Sequence, residues 1–119
     1  MRLRCFQFNL PFKYLFTTAR GTKTHQPVFV CELDHFGIKG YGEAPAIAYY
    51  NIPVEQMMAD VAAKKQVIEK YAFQEPERFW HFLHHLFPQN NFLVCALDMA
   101  AWDIYGKLKK APLHQVWGL

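Results

Sequence analysis

"CALDMAAWDIYGK", residues 95–107, sets two aspartates into a run that is otherwise apolar or small, near the end of a chain of 119 residues. On a helix Asp98 and Asp103 lie five positions apart. At ~100° per residue they diverge by about 140°, so they do not converge on one ion or one substrate. Asp103 is instead placed to pair with Lys107 one turn on, an interaction worth ~0.2–0.5 kcal/mol. The same helix carries two apolar stripes, Leu93, Leu97, Ala100, Ile104 and Leu108 on one side and Phe92, Cys95, Met99 and Trp102 on another. A surface helix needs one stripe, and two imply burial from both sides. Ala96, Ala100 and Ala101 would let a neighbouring backbone come close, so this helix is expected between its own domain and a second body.

Working outward, Asn90 or Asn91 can cap this helix, basic residues suit its C-terminal end near Lys109, and Pro112 stops it before "LHQVWGL" adds one more turn. Two further helices precede it. In "VEQMMADVAAKKQVIEKY" (54–71) Met57, Met58, Val61, Ile68 and Tyr71 share a broad face with Lys64 and Lys65 opposite, and "EPERFWHFLHHLF" (75–87) starts near Pro76 and closes at Pro88. The first half is β-like. "RLRCFQFNL" (2–10) predicts a strand running into Pro11, and "PVFVCELDHFGIKGYGEA" (27–44) predicts a hairpin turning at Phe36-Gly37. Residues 17–26, "TTARGTKTHQ", lack periodicity and read as a long exposed loop. A second loop, "APAIAYYNIP" (44–53), follows the third strand, and loops this long are more often functional than decorative. The predicted fold is α+β: a three-stranded antiparallel meander followed by a helical layer of about three helices.

Composition bounds the rest. With 52% apolar and 19% charged residues the chain is neither disordered nor, lacking an apolar run of ~18 residues, a helical membrane span. An aromatic fraction of 17% exceeds what so small a domain easily buries, so some apolar surface is expected to meet a partner, and a homo-oligomer is expected. Three cysteines, odd in number and far apart, fit neither a disulfide framework nor a thiolate zinc site, and the start "MRLRCFQFNLPF" lacks a continuous apolar signal core. A cytoplasmic location is expected. The net charge of +3 is spread along the chain and gives little support for nucleic acid.

Several motifs carry less than they suggest. His81, His84 and His85 share helical spacing, but no glutamate intervenes as in zinc proteases, and they read as a solvated face. "KGYG" (39–42) begins like an RNA-recognition strand, but Glu43, Ala44 and Pro45 stand where stacking aromatics are needed. "KLK" (107–109) sits at a helix end, where it complements the dipole. No residue of this chain is assigned a catalytic or metal-binding role.

"GYGEAP" after a hairpin, followed by A-x-D-x-A-x-W-D at 96–103, Gly106-Lys107 and P-L-x-x-x-x-G at 112–118, resembles the N-terminal capping domain of the enolase superfamily, in its muconate lactonizing enzyme and mandelate racemase branch. The resemblance covers essentially the whole chain. It implies an enzyme in which a base removes a proton α to a carboxylate or carbonyl while magnesium stabilises the enolate. The catalytic lysines and metal ligands would belong to a barrel of ~200 or more residues. Residues 1–112 would then be the cap and 113–119 the start of a linker, the chain being a fragment without activity of its own. The cap would pack on the barrel of the same protein, and its helix aspartates would be structural.

The cap's part in such enzymes is specificity, through the loops after the first and third strands. Phe16 followed by "TTARGTKT" looks most like dipeptide epimerases of the Ala-Glu type. On that likeness Phe16 would pack on substrate, Arg20 would meet a carboxylate through paired hydrogen bonds, and Tyr49, Tyr50 and Ile52 would wall the pocket. The implied reaction is a 1,1-proton transfer, an epimerisation, on a dipeptide. The cap motifs leave open a muconate-type cycloisomerase or an acylamino-acid racemase. A stand-alone interaction module is the alternative from another class.

Overall fold

The computed structural model describes residues 1–119, apart from the side chain of Ala48. Strands β1 (Arg2–Thr18), β2 (Gly21–His35) and β3 (Ile38–Pro45) form an antiparallel sheet in the order β1-β2-β3, followed by helices α1 (Val54–Glu69), α2 (Pro76–Leu86), α3 (Asn91–Lys109) and the short α4 (Leu113–Val116). The expected α+β meander and helical layer are therefore present. The β2–β3 turn falls at Phe36 and Gly37, with φ of 52° and 88°. Two successive positive φ values match the twist of the flanking strands, and Asp34 Oδ1 accepts from the Gly37 N–H at 2.8 Å.

Period-2 alternation decides which side of the sheet is covered. Leu3 on β1, Phe29, Cys31 and Leu33 on β2, and Ala44 on β3 are buried against the helices. Val54, Met57, Val61 and Ile68 of α1, with Phe79 and Leu83 of α2, complete the core. Tyr71 meets Phe79 and Phe82 at ring separations of 5.1 and 4.5 Å where the α1–α2 connection turns. The Leu3 N–H, on the free edge of β1, donates to Glu69 Oε2 at 2.9 Å and ties that edge to the end of α1.

Helix α3 closes the domain. Asn90 is its N-cap, its Oδ1 accepting from the Leu93 N–H at 3.0 Å. Asn90→Ala should cost about 1 kcal/mol, readable as a lowered urea midpoint with an unchanged slope. Leu93, Leu97, Ala100 and Ile104 are buried as expected, but Leu108, assigned to the same stripe, is 42% exposed. It lies in the last turn of α3, which runs antiparallel to β3 and reaches the start of that strand where Lys107 meets Lys39. The small residues have a specific role: a Cβ on Gly42 would fall inside the Ala96 carbonyl, and one on Gly40 would strike the Ala100 carbonyl and the Ile104 side chain. Glycines of β3 and alanines of α3 thus bring strand and helix backbones into direct contact. Those glycines come from "KGYG", whose pattern serves packing.

The second stripe stays partly open. Met99 is 46% exposed, Cys95 is exposed, and Phe92 and Trp102 are half-buried. Trp102 meets Trp117, just beyond α4, at 5.3 Å.

Candidate functional site

Residues 17–25 are exposed and Gln26 is half-buried, but the stretch is not a loop, which corrects the sequence reading. β1 continues through Pro11 to Thr18 and pairs with β2 as Phe16↔Lys23, Thr17↔Thr22 and Thr18↔Gly21, with an irregularity between Pro11 and Phe16. Pro11, which lacks an N–H, sits where the ladder breaks, as strand prolines do. An exposed ribbon shows no apolar alternation because neither face is covered, while its backbone groups still pair with one another. Ala19 and Arg20 make the turn. The Arg20 N–H donates to Thr18 Oγ1 at 3.2 Å, and Gly21, with φ of 130°, supplies a conformation that favours glycine.

This tip comes to rest beside the segment after β3. There Ile47 and Ile52 form an antiparallel bridge around a 3₁₀ turn at Ala48–Tyr50. The Arg20 guanidinium lies over the Tyr49 ring, 4.0 Å from its centre, a contact worth ~0.5–1 kcal/mol at an exposed site. Phe16, Thr18, Arg20, Lys23, Ile47 and Tyr49 line a cavity of about 450 Å³. Phe16, Arg20 and Tyr49, three of the five residues singled out in the sequence, therefore share one cavity. Tyr50 does not line it; its ring lies 5.0 Å from that of Tyr49 and 5.4 Å from that of Phe92 at the start of α3. Ile52 faces a neighbouring cavity of about 420 Å³, bounded also by Lys23, Pro27, Ala46 and Pro53.

The sequence reading missed Lys23, Thr18 and Ile47. Lys23 had a usable signal, a second cation three residues from Arg20, but its approach depends on the unrecognised hairpin pairing. The Phe16-lined cavity holds two cations and no carboxylate. Its field favours an anionic ligand, and its aromatic walls offer apolar contact.

Other ionisable groups explain themselves structurally. Asp103 accepts from the Tyr41 backbone N–H at 3.1 Å and from Lys107 Nζ at 3.1 Å, and Lys107 also donates to the Lys39 carbonyl at 2.6 Å. The expected Asp103–Lys107 pair therefore stitches α3 to β3. Glu32, only 6% exposed on the sheet face away from the helices, accepts from the Tyr41 hydroxyl at 3.0 Å, with the Arg4 guanidinium at 3.8 Å. Burial pushes the thiol of Cys31 up to about 12 and that of Cys5 to about 11, so neither forms a thiolate nucleophile near neutral pH. His81, His84 and His85 are exposed, and His84 stacks on Trp80 at 5.0 Å.

Asp98 is different. Its Oδ1 is buried without a hydrogen-bond partner, and burial, helped by the nearby Glu77 carboxylate, raises its carboxyl from 3.8 to about 6. The folded chain holds this proton more tightly than the unfolded chain, so stability should fall as pH rises from about 3.8 to about 6. Asp98→Asn should flatten that decline, measured as urea midpoints across this range.

Among the described residues no group of three or more His, Cys, Asp or Glu side chains could hold a metal ion. Magnesium, implied by the family resemblance, therefore does not fit the described residues. Among the described residues no helix is long and apolar enough to cross a membrane.

Known proteins resemble this chain in sequence and in fold. The chain is 37% identical over 118 residues to an L-Ala-D/L-amino acid epimerase of Maribacter sp., covering 99% of this chain and 35% of that protein. It is 36% identical over 117 residues to an L-Ala-D/L-amino acid epimerase of Flavobacterium johnsoniae, covering 98% and 35%. The chain thus spans about a third of the length of these curated relatives. Its fold matches, with a TM-score of 0.80 at 19% identity, a dipeptide epimerase from Enterococcus faecalis V583 crystallised with Mg and the dipeptide L-Leu-L-Tyr, covering 97% of this chain and 33% of that one. Residues 2–118 match the family described as mandelate racemase / muconate lactonizing enzyme, N-terminal domain. A match across nearly the whole chain, on a fold of three antiparallel strands and a helical layer, makes this chain a member of that N-terminal domain family.

Proposed function

We propose that this chain is the substrate-specificity lid of an isomerase that epimerises dipeptides at an α-carbon. The observation that carries the reading is the cavity between the hairpin tip and the Ile47–Ile52 turn, where Phe16, Arg20 and Tyr49 meet. The likeness to two L-Ala-D/L-amino acid epimerases supports the dipeptide class. In this role Arg20 binds a substrate carboxylate through paired hydrogen bonds, Phe16 and Tyr49 cover the apolar part of the substrate, and Tyr50 and Ile52 hold the second loop in place. Closing the lid excludes water from the reacting carbon.

Proton transfer belongs to a barrel domain of the same protein, with residues 113–119 as the lead into it and the ligands of magnesium on the barrel. The half-open face of α3, with Met99, Trp102 and Trp117, suits burial against that barrel. A homo-oligomer in the cytoplasm completes the reading, supported by surplus apolar surface and three unpaired cysteines. The test is a panel of L,L-dipeptides incubated with the complete protein and analysed by chiral chromatography. Inversion confined to one residue of the dipeptide is expected. Turnover of no dipeptide in the panel would overturn the reading.

A further inference from the structure

We infer that Lys23, oriented by Gln26, is a second specificity-determining residue of the lid, and that with Arg20 it selects dipeptides whose C-terminal residue carries a side-chain carboxylate. The inference rests on the reading of this chain as a substrate lid.

Gln26 is fixed by its surroundings. Its Nε2 donates to the Pro27 carbonyl at 2.8 Å and to the Ala46 carbonyl at 2.7 Å, so both amide hydrogens are used. Turning the amide over would set its oxygen against two carbonyl oxygens, so the orientation follows from the bonds themselves. The remaining atom, Oε1, accepts from Lys23 Nζ at 3.4 Å. Gln26 therefore links three things: the base of the hairpin, the segment after β3, and the ammonium of Lys23. A lysine on a free stem loses rotamer freedom when it binds a carboxylate. Anchored to Gln26, Lys23 has already lost part of it.

The charge balance gives the ligand class. Lys23 lines both the Phe16-walled cavity and the adjoining one bounded by Ile52; the first contains no carboxylate, and Glu55 borders the second. Tyr49 stacks under Arg20 without adding charge. Within the Phe16-walled cavity a neutral substrate side chain would leave both cations without an anionic partner, whereas a side-chain carboxylate meets Arg20 by its planar fork and Lys23 as a point charge. Gln26 touches no substrate in this arrangement and is a positioning residue.

The experiment uses the complete protein and compares kcat/KM for L-Ala-L-Glu with that for its neutral near-isostere L-Ala-L-Gln. Lys23→Gln should lower the ratio ~3- to 10-fold, mainly through KM for the acidic dipeptide, the size being limited by solvent exposure. Lys23→Arg should restore the ratio to within about twofold of wild type, because it keeps the charge. Gln26→Leu should lower the ratio in the same direction, and should lower it no further when combined with Lys23→Gln, since the two act through one ammonium. A ratio left within about twofold of wild type by Lys23→Gln, which leaves the Gln26 bonds to the Pro27 and Ala46 carbonyls intact, would overturn the inference. So would a wild-type preference for the neutral dipeptide, while full additivity of the two variants would overturn the role of Gln26. Those results arise in a working epimerase; a wild-type protein that turns over no dipeptide would defeat the lid reading itself.

Discussion

Gly42→Ala should destabilise the domain by about 3 kcal/mol or more, the upper end for forced overpacking. The added methyl would fall inside the Ala96 carbonyl, which is helix backbone and has no rotamer through which to move aside. Relief requires α3 to lift from β3, which would loosen Leu93, Leu97 and Ile104, all buried there. Against a total stability of ~5–15 kcal/mol for a typical domain, that loss should show as a large fall in the urea midpoint. Gly37→Ala is the useful comparison. A Cβ there meets nothing within 4 Å, so only the cost of a positive φ remains, about 1–2 kcal/mol. Similar midpoints for Gly42→Ala and wild type would show that strand and helix do not pack backbone to backbone.

Arg20→Ala should raise KM for an acidic dipeptide ~10-fold or more in the complete protein, and KM for a neutral one far less. The size follows from charge-assisted hydrogen bonds, worth ~1.5–3 kcal/mol, tempered here by solvent. The asymmetry follows because only the acidic substrate brings a second carboxylate to the hairpin tip. Removing the guanidinium also uncovers Tyr49, so a small effect common to both substrates is expected. Equal effects would mean that Arg20 contributes only through its stacking.

Where the sequence was a sound guide, one periodicity dominated. The alternation through Phe29, Cys31 and Leu33, the Asn90 cap and the stop at Pro112 all reported local structure that burial reinforces. The two stripes of α3 were legible for the same reason, apart from Leu108, which the pattern placed in the first stripe and which is exposed. The hairpin tip was not legible, because an uncovered ribbon carries no apolar alternation and its pairing register is set by Gly21 and by the break after Pro11. That omission hid Lys23. "KGYG" was legible as a motif but not as packing, since its glycines acquire meaning only when Ala96 and Ala100 are placed opposite them. Of the five residues proposed for the site, Phe16, Arg20 and Tyr49 line one cavity, while the distinct positions of Tyr50 and Ile52 depend on the Ile47–Ile52 bridge, which no local pattern announces.

The most direct test of the lid assignment is deuterium incorporation from D₂O into L-Ala-L-Glu, followed by mass spectrometry and NMR, with the complete protein and with residues 1–119 alone. The account predicts one deuterium at an α-carbon with the complete protein and none with residues 1–119, which carry the hairpin and the second loop but no assigned proton-transfer group. Exchange catalysed by residues 1–119 alone, or none by the complete protein with any dipeptide, would contradict it.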